Sequence, residues 1–123
     1  MSFAVSDAVS LALHTALNGL SQRQEVIADN IANVDTPGFR ARSVEFETSL
    51  RDAIDSGSFE PDNGSVAGVV ATEVPTQTPV GADGNNVDLR KETIAAMQTQ
   101  YSYQILGRAM TDHLGLLKTA AGA

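Results

Sequence analysis

Apolar side chains recur at a regular helical spacing in the first third of the chain. Counting alternately four and three residues from the first member of the series gives a seam in which Gln24 is the one polar position. The apolar members of this seam are Leu13, Leu17, Leu20, Ile27, Ile31 and Val34. A spacing of about 3.5 residues is typical of coiled coils. It predicts a helix over residues 5–34, in which Gly19 would let a partner helix approach closely.

The helical pattern ends abruptly in a run of turn-forming residues. Pro37 disfavours a helical backbone at Thr36. The pair Pro37-Gly38 suits the two central positions of a type II turn, because proline fixes φ at about −65° and glycine supplies a positive φ. Asn33 is expected to adopt a left-handed or capping conformation near the helix end. The sequence therefore predicts a sharply defined end to the helix.

The segment after this boundary changes from a strand-like to a helix-like pattern. Residues 40–46 alternate polar and apolar side chains, which favours an extended conformation. Phe46, Leu50 and Ile54 are then spaced four residues apart, which indicates a short helix with one apolar face.

Residues 55–86 have a loop-like composition, with eight glycine and proline residues. Within them, residues 65–74 could form a short strand or hairpin edge, although Gly68 weakens that prediction. An irregular stretch of this length is either functional or disordered in the isolated chain. It also offers little for the long helices to pack on.

A second long helix is predicted over residues 88–119, with Asp88 as its N-cap. Its apolar residues form two adjacent stripes along the helix. The first stripe consists of Ile94, Met97, Tyr101 and Ile105, and the second of Leu106, Met110, Leu114 and Leu117. Together the stripes are wide enough to contact two neighbours.

These elements predict a mainly α fold, in which long N- and C-terminal helices pack as an antiparallel coiled-coil layer around an irregular or short-β middle segment. The first helix belongs to residues 1–35, the middle to residues 36–87, with 55–86 as its candidate flexible part, and the last helix to residues 88–123. Helices of about 30 residues would be on the order of 45 Å long and could not bury their stripes alone. Because one stripe of the C-terminal helix would remain uncovered even in this pairing, the chain is expected to bind a partner.

Composition narrows the classes of function. The net charge of −7 disfavours binding to nucleic acid, which requires clustered Lys and Arg, and binding to anionic membranes. The chain has no cysteine, which excludes disulfides, thiol nucleophiles and cysteine-based zinc sites within it. The N-terminal residues do not match a secretory signal peptide, and no apolar run approaches the ~20 residues of a membrane span. Export would therefore need another route.

Candidate catalytic and metal-binding residues are few. His14 and His113 lie near opposite ends of the chain, and antiparallel helices could bring them into one neighbourhood. We interpret them as helix-surface histidines, because no carboxylate stands at ligand spacing beside both. No nucleophile elbow, phosphate-binding loop or dinucleotide fingerprint occurs. We therefore predict no enzyme activity, no catalytic or metal site and no cofactor.

Two blocks of the sequence resemble a known family. The block RQEVIADNIANVDTPGFRARSVEFE, at residues 23–47, closely resembles the N-terminal signature of bacterial flagellar rod and hook proteins, in which a helix ends in N-I-A-N and a T-P-G-F turn follows. The block DGNNVDLRKE, at residues 83–92, is similar to the C-terminal signature of the same family. The short length and the forms of both blocks look most like a proximal-rod member. The other short rod protein, FlgC, is the near alternative, but it typically has a T-x-G turn without proline.

The resemblance implies a structural subunit of the flagellar basal-body rod, which packs its terminal helices as the inner layer of an axial tube that transmits torque from the membrane ring to the hook. It implies that a motif at the end of the first helix sets how the chain leaves the helical layer. That motif consists of Asn30, Ile31, Asn33, Thr36, Pro37, Gly38 and Phe39. The implied partners are other copies of the chain, the rod proteins FlgC, FlgF and FlgG, the rod-base protein FliE, the MS-ring protein FliF and the flagellar type III export gate.

The resemblance also gives a second interpretation of Phe46 and Leu50. On composition alone they are an ordinary apolar pair on a short helix. Early substrates of the flagellar type III apparatus carry an F-x-x-x-hydrophobic element that is recognised at the export gate, and this pair matches its form and place. The resemblance therefore implies export, without a cleaved signal peptide, to a rod within the periplasm.

An alternative from another class is a cytosolic helical adaptor or export chaperone, which would bind a partner through its apolar stripes. The two hypotheses differ in location, because an adaptor stays in the cytosol and a rod subunit is exported into the basal body. A small hydrolase is a distant third, disfavoured by the missing nucleophile and base.

Overall fold

Two long helices and a small two-stranded sheet make up the computed structural model, which describes residues 3–57 and 69–122. In chain order the elements are α1 (Phe3–Ala32), β1 (Arg42–Glu45), α2 (Glu47–Ser56), β2 (Thr72–Pro75) and α3 (Leu89–Gly122). The prediction of a mainly α fold with a short-β middle is confirmed.

The terminal helices pack against each other in antiparallel orientation, as predicted. The turn after α1 contacts the loop that precedes α3, where the Asn85 side-chain amide donates to the Asn33 carbonyl oxygen at 2.8 Å. Further along the helices, Leu106 of α3 packs on the cluster that contains Leu20 of α1. α1 ends two residues earlier than predicted, so Val34 lies in the turns that follow it, and α3 extends to Gly122.

The middle segment is more ordered than its composition indicates. β1 pairs with β2 in antiparallel register, with Arg42 opposite Pro75 and Glu45 opposite Thr72. The extended conformation predicted for residues 40–46 is thus confirmed over β1. The expectation of an irregular stretch over 55–86 is wrong for the end of α2. The strand predicted within 65–74 is found in part at β2, which pairs with β1. Residues 58–68, which include Gly68 and the start of the predicted 65–74 strand, lie outside the described residues.

The core lies where β1 docks on α1. Val44 and Phe46 are 2% and 4% exposed and form one cluster with α1 side chains. The α1 members of this cluster are Ala16, Leu20 and Val26. The expectation that the middle of the chain offers little to pack on is therefore wrong, because the middle supplies two buried side chains of the cluster. Burial of an aromatic and a branched side chain of this size stabilises a fold by about 1.5–3 kcal/mol each.

Phe46 directly precedes α2, and one turn of that helix packs inward. The Leu50 amide donates to the Phe46 carbonyl oxygen at 2.9 Å, and Gly57 closes the helix with a φ of 68°. Leu50 packs on the core, as the spacing predicts, but Ile54 is 51% exposed. Ala53 is buried instead, because the helix is rotated by one residue relative to the predicted face.

The missing side chain at Gly19 makes room for the ring of Phe46. The prediction that it makes room for a partner helix is wrong. A Cβ at this position would lie 2.6 Å from two of the ring carbons, a distance that no packed structure tolerates. The Arg23 guanidinium lies over the same ring, 4.9 Å from its centroid. The sequence signals a close approach, but the period of a helix reveals neighbours along that helix and cannot show which distant residue arrives.

Candidate functional site

The two sequence blocks that resemble one family lie side by side in the structure, although 43 positions separate Asn85 from Arg42. We call the region where they meet the joint. It comprises residues 30–47, from the end of α1 to the start of α2, and residues 81–88, ahead of α3. The Gly38 amide donates to the Asp83 carbonyl oxygen at 2.9 Å, and the Asn86 amide donates to the Phe39 carbonyl oxygen at 3.2 Å. The joint therefore connects the helix pair to the sheet through backbone hydrogen bonds.

The predicted type II turn forms the first part of the joint. The Phe39 amide donates to the Thr36 carbonyl oxygen at 3.2 Å, and Gly38 has a φ of 77°. Gly84, with a φ of 81°, faces this turn: a Cβ on it would lie 3.2 Å from the Gly38 Cα. Two glycines with positive φ thus touch, and a side chain on either would strain the turn. Pro37 between Thr36 and Gly38 is exposed.

Asn33 caps the end of α1 without a left-handed backbone. Among the described residues, positive φ occurs at glycines alone, so the left-handed prediction for Asn33 is wrong and the capping prediction is right. Its side-chain amide donates to the Asp29 carbonyl oxygen at 2.8 Å, which also accepts from the Asn33 backbone amide at 3.2 Å. The Thr36 hydroxyl donates to the Asn33 side-chain oxygen at 3.1 Å, and the Val34 amide donates to the Ile31 carbonyl oxygen.

Asn85 joins the two blocks through its side chain. Its amide group donates to the carbonyl oxygens of Asn33 and Thr36, both at 2.8 Å, and its side-chain oxygen accepts from the Val87 amide at 2.7 Å. The residue is 8% exposed. One asparagine therefore adds a second hydrogen bond to the carbonyl oxygens of Asn33 and Thr36, which already accept from the Thr36 and Phe39 amides.

Asn30 and Asn86 hold the backbone of residues 41 and 42 from both sides. Asn30 is fully buried, donates to the Arg42 carbonyl oxygen at 2.7 Å and accepts from the Arg42 amide at 3.2 Å. The Asn86 side-chain oxygen accepts from the Ala41 amide at 2.6 Å. Asn30 thus pairs with Arg42 as a neighbouring strand would. Asn85 and Asn86 were not among the predicted site residues; the Asp83-Gly84 turn beside two adjacent asparagines was the available signal.

Charged side chains brace the joint from outside. Arg23 donates to the Val44 carbonyl oxygen at 2.7 Å and forms an ion pair of 2.5 Å with Glu47. Arg42 bridges Asp29 at 2.5 Å and Glu73 at 2.6 Å, which connects α1, β1 and β2. These pairs are partly exposed, so each contributes less than about 1 kcal/mol.

Glu47 has a lowered pKa. Its partial burial raises the pKa of the carboxyl, but the Arg23 hydrogen bond, the backbone amides of Glu47 and Phe46, and the Arg23 charge together lower that pKa below its ordinary value of 4.5. The Glu47 carboxylate is therefore ionised at neutral pH when the start of α2 is docked on α1.

The structure divides the residues predicted to form helix interfaces into two groups. Leu20 and Ile27 of α1 are buried, whereas Leu13, Leu17 and Ile31 are half-buried.

On α3, Leu106, Met110 and Leu117 are half-buried on the side that faces α1. The stripe of Ile94, Met97, Tyr101 and Ile105 faces away from α1, with exposures of 50%, 67%, 67% and 51%, and Leu114 is 52% exposed. Within one chain, this stripe contacts no other helix along the described residues, so its role in an interface stays a prediction.

The inner face of α3 also contains polar residues. Thr99 and Glu92 are buried there. The predicted N-cap is confirmed, because the Asp88 carboxylate accepts from the Lys91 amide at 3.1 Å. The antiparallel contact with α1 thus covers most of the second stripe in part and leaves the first stripe outside.

Other kinds of site are not evident in the part of the chain that the structure describes. Over residues 3–57 and 69–122, no group of three or more His, Asp or Glu side chains could hold a metal ion. His14 is exposed and His113 is half-buried. No helix within the same ranges is long and apolar enough to cross a membrane.

Comparison with known proteins agrees with the family resemblance of the two sequence blocks. Residues 11–40 match the family model described as "Flagella basal body rod protein". The chain is similar to the flagellar basal body rod protein FlgB of Yersinia ruckeri, with 31% identity over 84% of this chain and 88% of the relative. It is similar to FlgB of Bacillus subtilis, with 34% identity over 87% and 88%, and to FlgB of Escherichia coli, with 34% identity over 80% and 82%.

Proposed function

The chain belongs to the FlgB family of flagellar basal body rod proteins and is a structural subunit of the rod, and we propose that it is a proximal-rod subunit whose joint sets the angle between the helix layer and the sheet in every copy. The observation that carries this proposal is the meeting of the two sequence blocks. Three asparagines and two touching glycines fix the joint in one geometry. Helical assembly requires such uniformity, because an error in the angle would accumulate along the tube.

The uncovered stripe of α3 supports assembly through the helices. A rod protein assembles with other components of the basal body. For this chain we propose further copies of itself, FlgC, FlgF, FlgG, the rod-base protein FliE and the MS-ring protein FliF as neighbours. An exposed apolar stripe on a helix of 34 residues is a surface that such neighbours would cover. The rod would then lie in the periplasm and transmit torque from the membrane ring to the hook.

The position of Phe46 bears on the proposed export by the flagellar type III system. Phe46 and Leu50 are the proposed recognition element, yet Phe46 is 4% exposed and enclosed between Gly19 and Arg23. An export gate could bind this side chain only when the segment is undocked from α1. The proposed element is thus compatible with export of the unfolded chain and not with recognition of the folded one.

The alternative of a cytosolic adaptor or export chaperone has no observation in its favour. The relatives compared above are named as rod proteins, and the exposed stripe serves either hypothesis equally. The family is one of structural proteins, which agrees with the predicted lack of enzyme activity.

The proposed function is tested by electron cryotomography of flagellar motors in cells that lack the gene. Motors with a membrane ring and export apparatus but no rod or hook are expected. Gly38→Val should fail to restore the rod, because valine cannot adopt a φ of 77° without strain. Thr48→Val is the control, since Thr48 is exposed on α2, outside the joint and the helix pair, and this variant should restore the rod. Complete flagella in the deletion strain would contradict the proposal.

A further inference from the structure

A groove between α1 and α3 contains a polar atom that lacks a partner. The groove has a volume of about 460 Å³ and is lined on one side by Leu20 and Gln24 and on the other by Thr99 and Tyr103. The side-chain carbonyl oxygen of Gln24 is buried there and accepts no hydrogen bond from the described residues. An unpaired buried acceptor costs about 1–3 kcal/mol, so a donor from outside the chain would be stabilising.

Gln24 is also the one polar position of the α1 seam. A single polar residue in an apolar coiled-coil seam commonly selects the register and the partner, because its hydrogen bond is made in only one arrangement. The sequence pattern and the unpaired atom are independent observations, and both indicate that Gln24 selects a neighbour.

The α3 stripe carries a suitable donor. Tyr101 is 67% exposed in the middle of the stripe and is flanked by Met97 and Ile105, which are 67% and 51% exposed. The stripe lies on the face of α3 opposite the buried Thr99, which lines the groove, so a chain cannot fill its own groove with it. A second copy can, and the contact is then between two different surfaces, the type that builds open helical assemblies.

The charges of the two helices favour the same pairing. α1 contains three acidic residues and one basic residue, whereas α3 contains four basic residues and two acidic ones. Glu25 and Asp29 are exposed on α1, and Arg90, Lys91 and Arg108 are exposed on α3. α3 of one copy would therefore be attracted to α1 of another.

We propose that the α3 stripe of one copy lies in the α1–α3 groove of the next copy, where the Tyr101 hydroxyl donates to the Gln24 side-chain oxygen. The proposal rests on the proposed function, since it assigns a surface to the contact between copies in the rod. It adds the occupant of the groove and the residue pair that selects it.

Cysteine pairs test the contact directly, because the chain has no cysteine of its own. Gln24→Cys and Tyr101→Cys are expressed together in cells that lack the native gene, and basal bodies are isolated and treated with a bis-maleimide crosslinker that spans the length of the two replaced side chains, because a direct disulfide requires closer Cα atoms. A crosslinked dimer is expected when both variants are present and not when either is present alone. Asn18→Cys with Tyr101→Cys is the control and should give no dimer, because Asn18 is exposed outside the groove.

The outcomes separate this contact from the proposed function. Variants that enter basal bodies without forming the mixed dimer would overturn the contact and leave the rod assignment intact. A dimer from Gln24→Cys alone would also overturn it, since that product requires the same surface on both copies. Absence of the unsubstituted chain from basal bodies would overturn the proposed function and the contact with it.

A second measurement avoids cysteine altogether. Tyr101→Phe should weaken self-association of the purified chain roughly tenfold in sedimentation experiments, because Gln24 is again left unpaired. Adding Gln24→Leu to that variant should recover most of the loss, since both partners are then apolar. Additive losses in the double variant, or no association of the unsubstituted chain at its highest soluble concentration, would overturn the contact.

Discussion

The joint and the outer face of α3 differ in whether their side chains find contact partners within the chain. In the joint, Asn30, Asn85 and Asn86 are at most 8% exposed, and each has its hydrogen-bond partners within the chain. On the outer face of α3, Met97 and Tyr101 are 67% exposed and have no apolar cover among the described residues of the same chain. The difference indicates that the joint is fixed before assembly, whereas the helix face is completed by a neighbour.

This division fits the task of a rod subunit. A rigid joint gives each copy the same angle between helix layer and sheet. Burial of the uncovered apolar face of α3 supplies the free energy of association. At about 25 cal/mol for each Å² of apolar surface removed from water, such a stripe is a substantial driving force. Changes in the joint should therefore alter the folded chain itself, and changes on the α3 face should alter assembly alone.

The largest expected effect on the isolated chain comes from Asn30→Ala. It removes both hydrogen bonds to Arg42 and leaves the amide and the carbonyl of that residue without these partners at a partly buried site. We expect the free energy of unfolding, measured by urea titration with circular dichroism, to fall by about 3 kcal/mol. Asn18→Ala, at an exposed position of the same helix, should change it by less than about 0.5 kcal/mol. Equal effects of the two variants would contradict the role given to Asn30.

Gly19→Ala should be the next largest change. The new Cβ would lie 2.6 Å from the Phe46 ring, and overpacking of this kind typically costs about 1–3 kcal/mol, of which better helix propensity recovers less than about 1 kcal/mol. Gly107→Ala meets open space and should be neutral or stabilising. Combining Gly19→Ala with Phe46→Leu should reduce the damage, because the smaller side chain can move. Independent, additive losses in the same urea titration would argue against a direct contact.

A smaller effect is expected at Glu47, and it should depend on pH. A carboxyl whose pKa is lowered on folding stabilises the fold above its ordinary pKa of 4.5, and that contribution is lost as the pH falls through the lower pKa of the folded state. Glu47→Gln should therefore cost less than about 1 kcal/mol at pH 7, since the side chain is 55% exposed. In thermal melts the difference between the two proteins should shrink as the pH falls through the folded-state pKa and vanish below it. A difference that persists there would mean that the ion pair with Arg23 is not its source.

Met97→Gln should leave the isolated chain unchanged and still prevent assembly. Met97 is exposed, so the free energy of unfolding should shift by less than about 0.5 kcal/mol. Recovery of the variant in isolated basal bodies should nevertheless fall sharply, because an amide replaces the centre of the apolar stripe. Met97→Leu keeps the stripe apolar and should assemble normally. Normal assembly of both variants would show that this face is not an interface.

Local signals in the sequence predicted the parts of the fold that local interactions decide. The period of the α1 seam, the Asp88 cap and the Pro37-Gly38 turn all depend on residues within a few positions of one another, and all three occur in the structure. The resemblance to flagellar rod and hook proteins also located both blocks of the joint, because each block is a continuous run of residues.

Contacts between distant segments were the part that could not be predicted. Phe46 docks on Gly19 from 27 positions away, and nothing in either local pattern identifies the other residue. Residues 65–74 were predicted as a candidate strand, but nothing in that pattern identified β1 as the partner of β2. On α3, two adjacent apolar stripes left the inward face undecided, and in the structure the second stripe, with the buried Thr99, faces α1.

Hydrogen–deuterium exchange of the isolated chain, followed by mass spectrometry and compared with assembled rods, measures this division most directly. The joint should be protected in both states, because its hydrogen bonds lie within one chain. From Gly107 to the end of α3 every residue is exposed or half-buried, so this part should exchange rapidly in the isolated chain and become protected in the rod. Rapid exchange at the joint of the isolated chain, or full protection of α3 without neighbours, would contradict a subunit whose joint is complete before assembly and whose helix face is not.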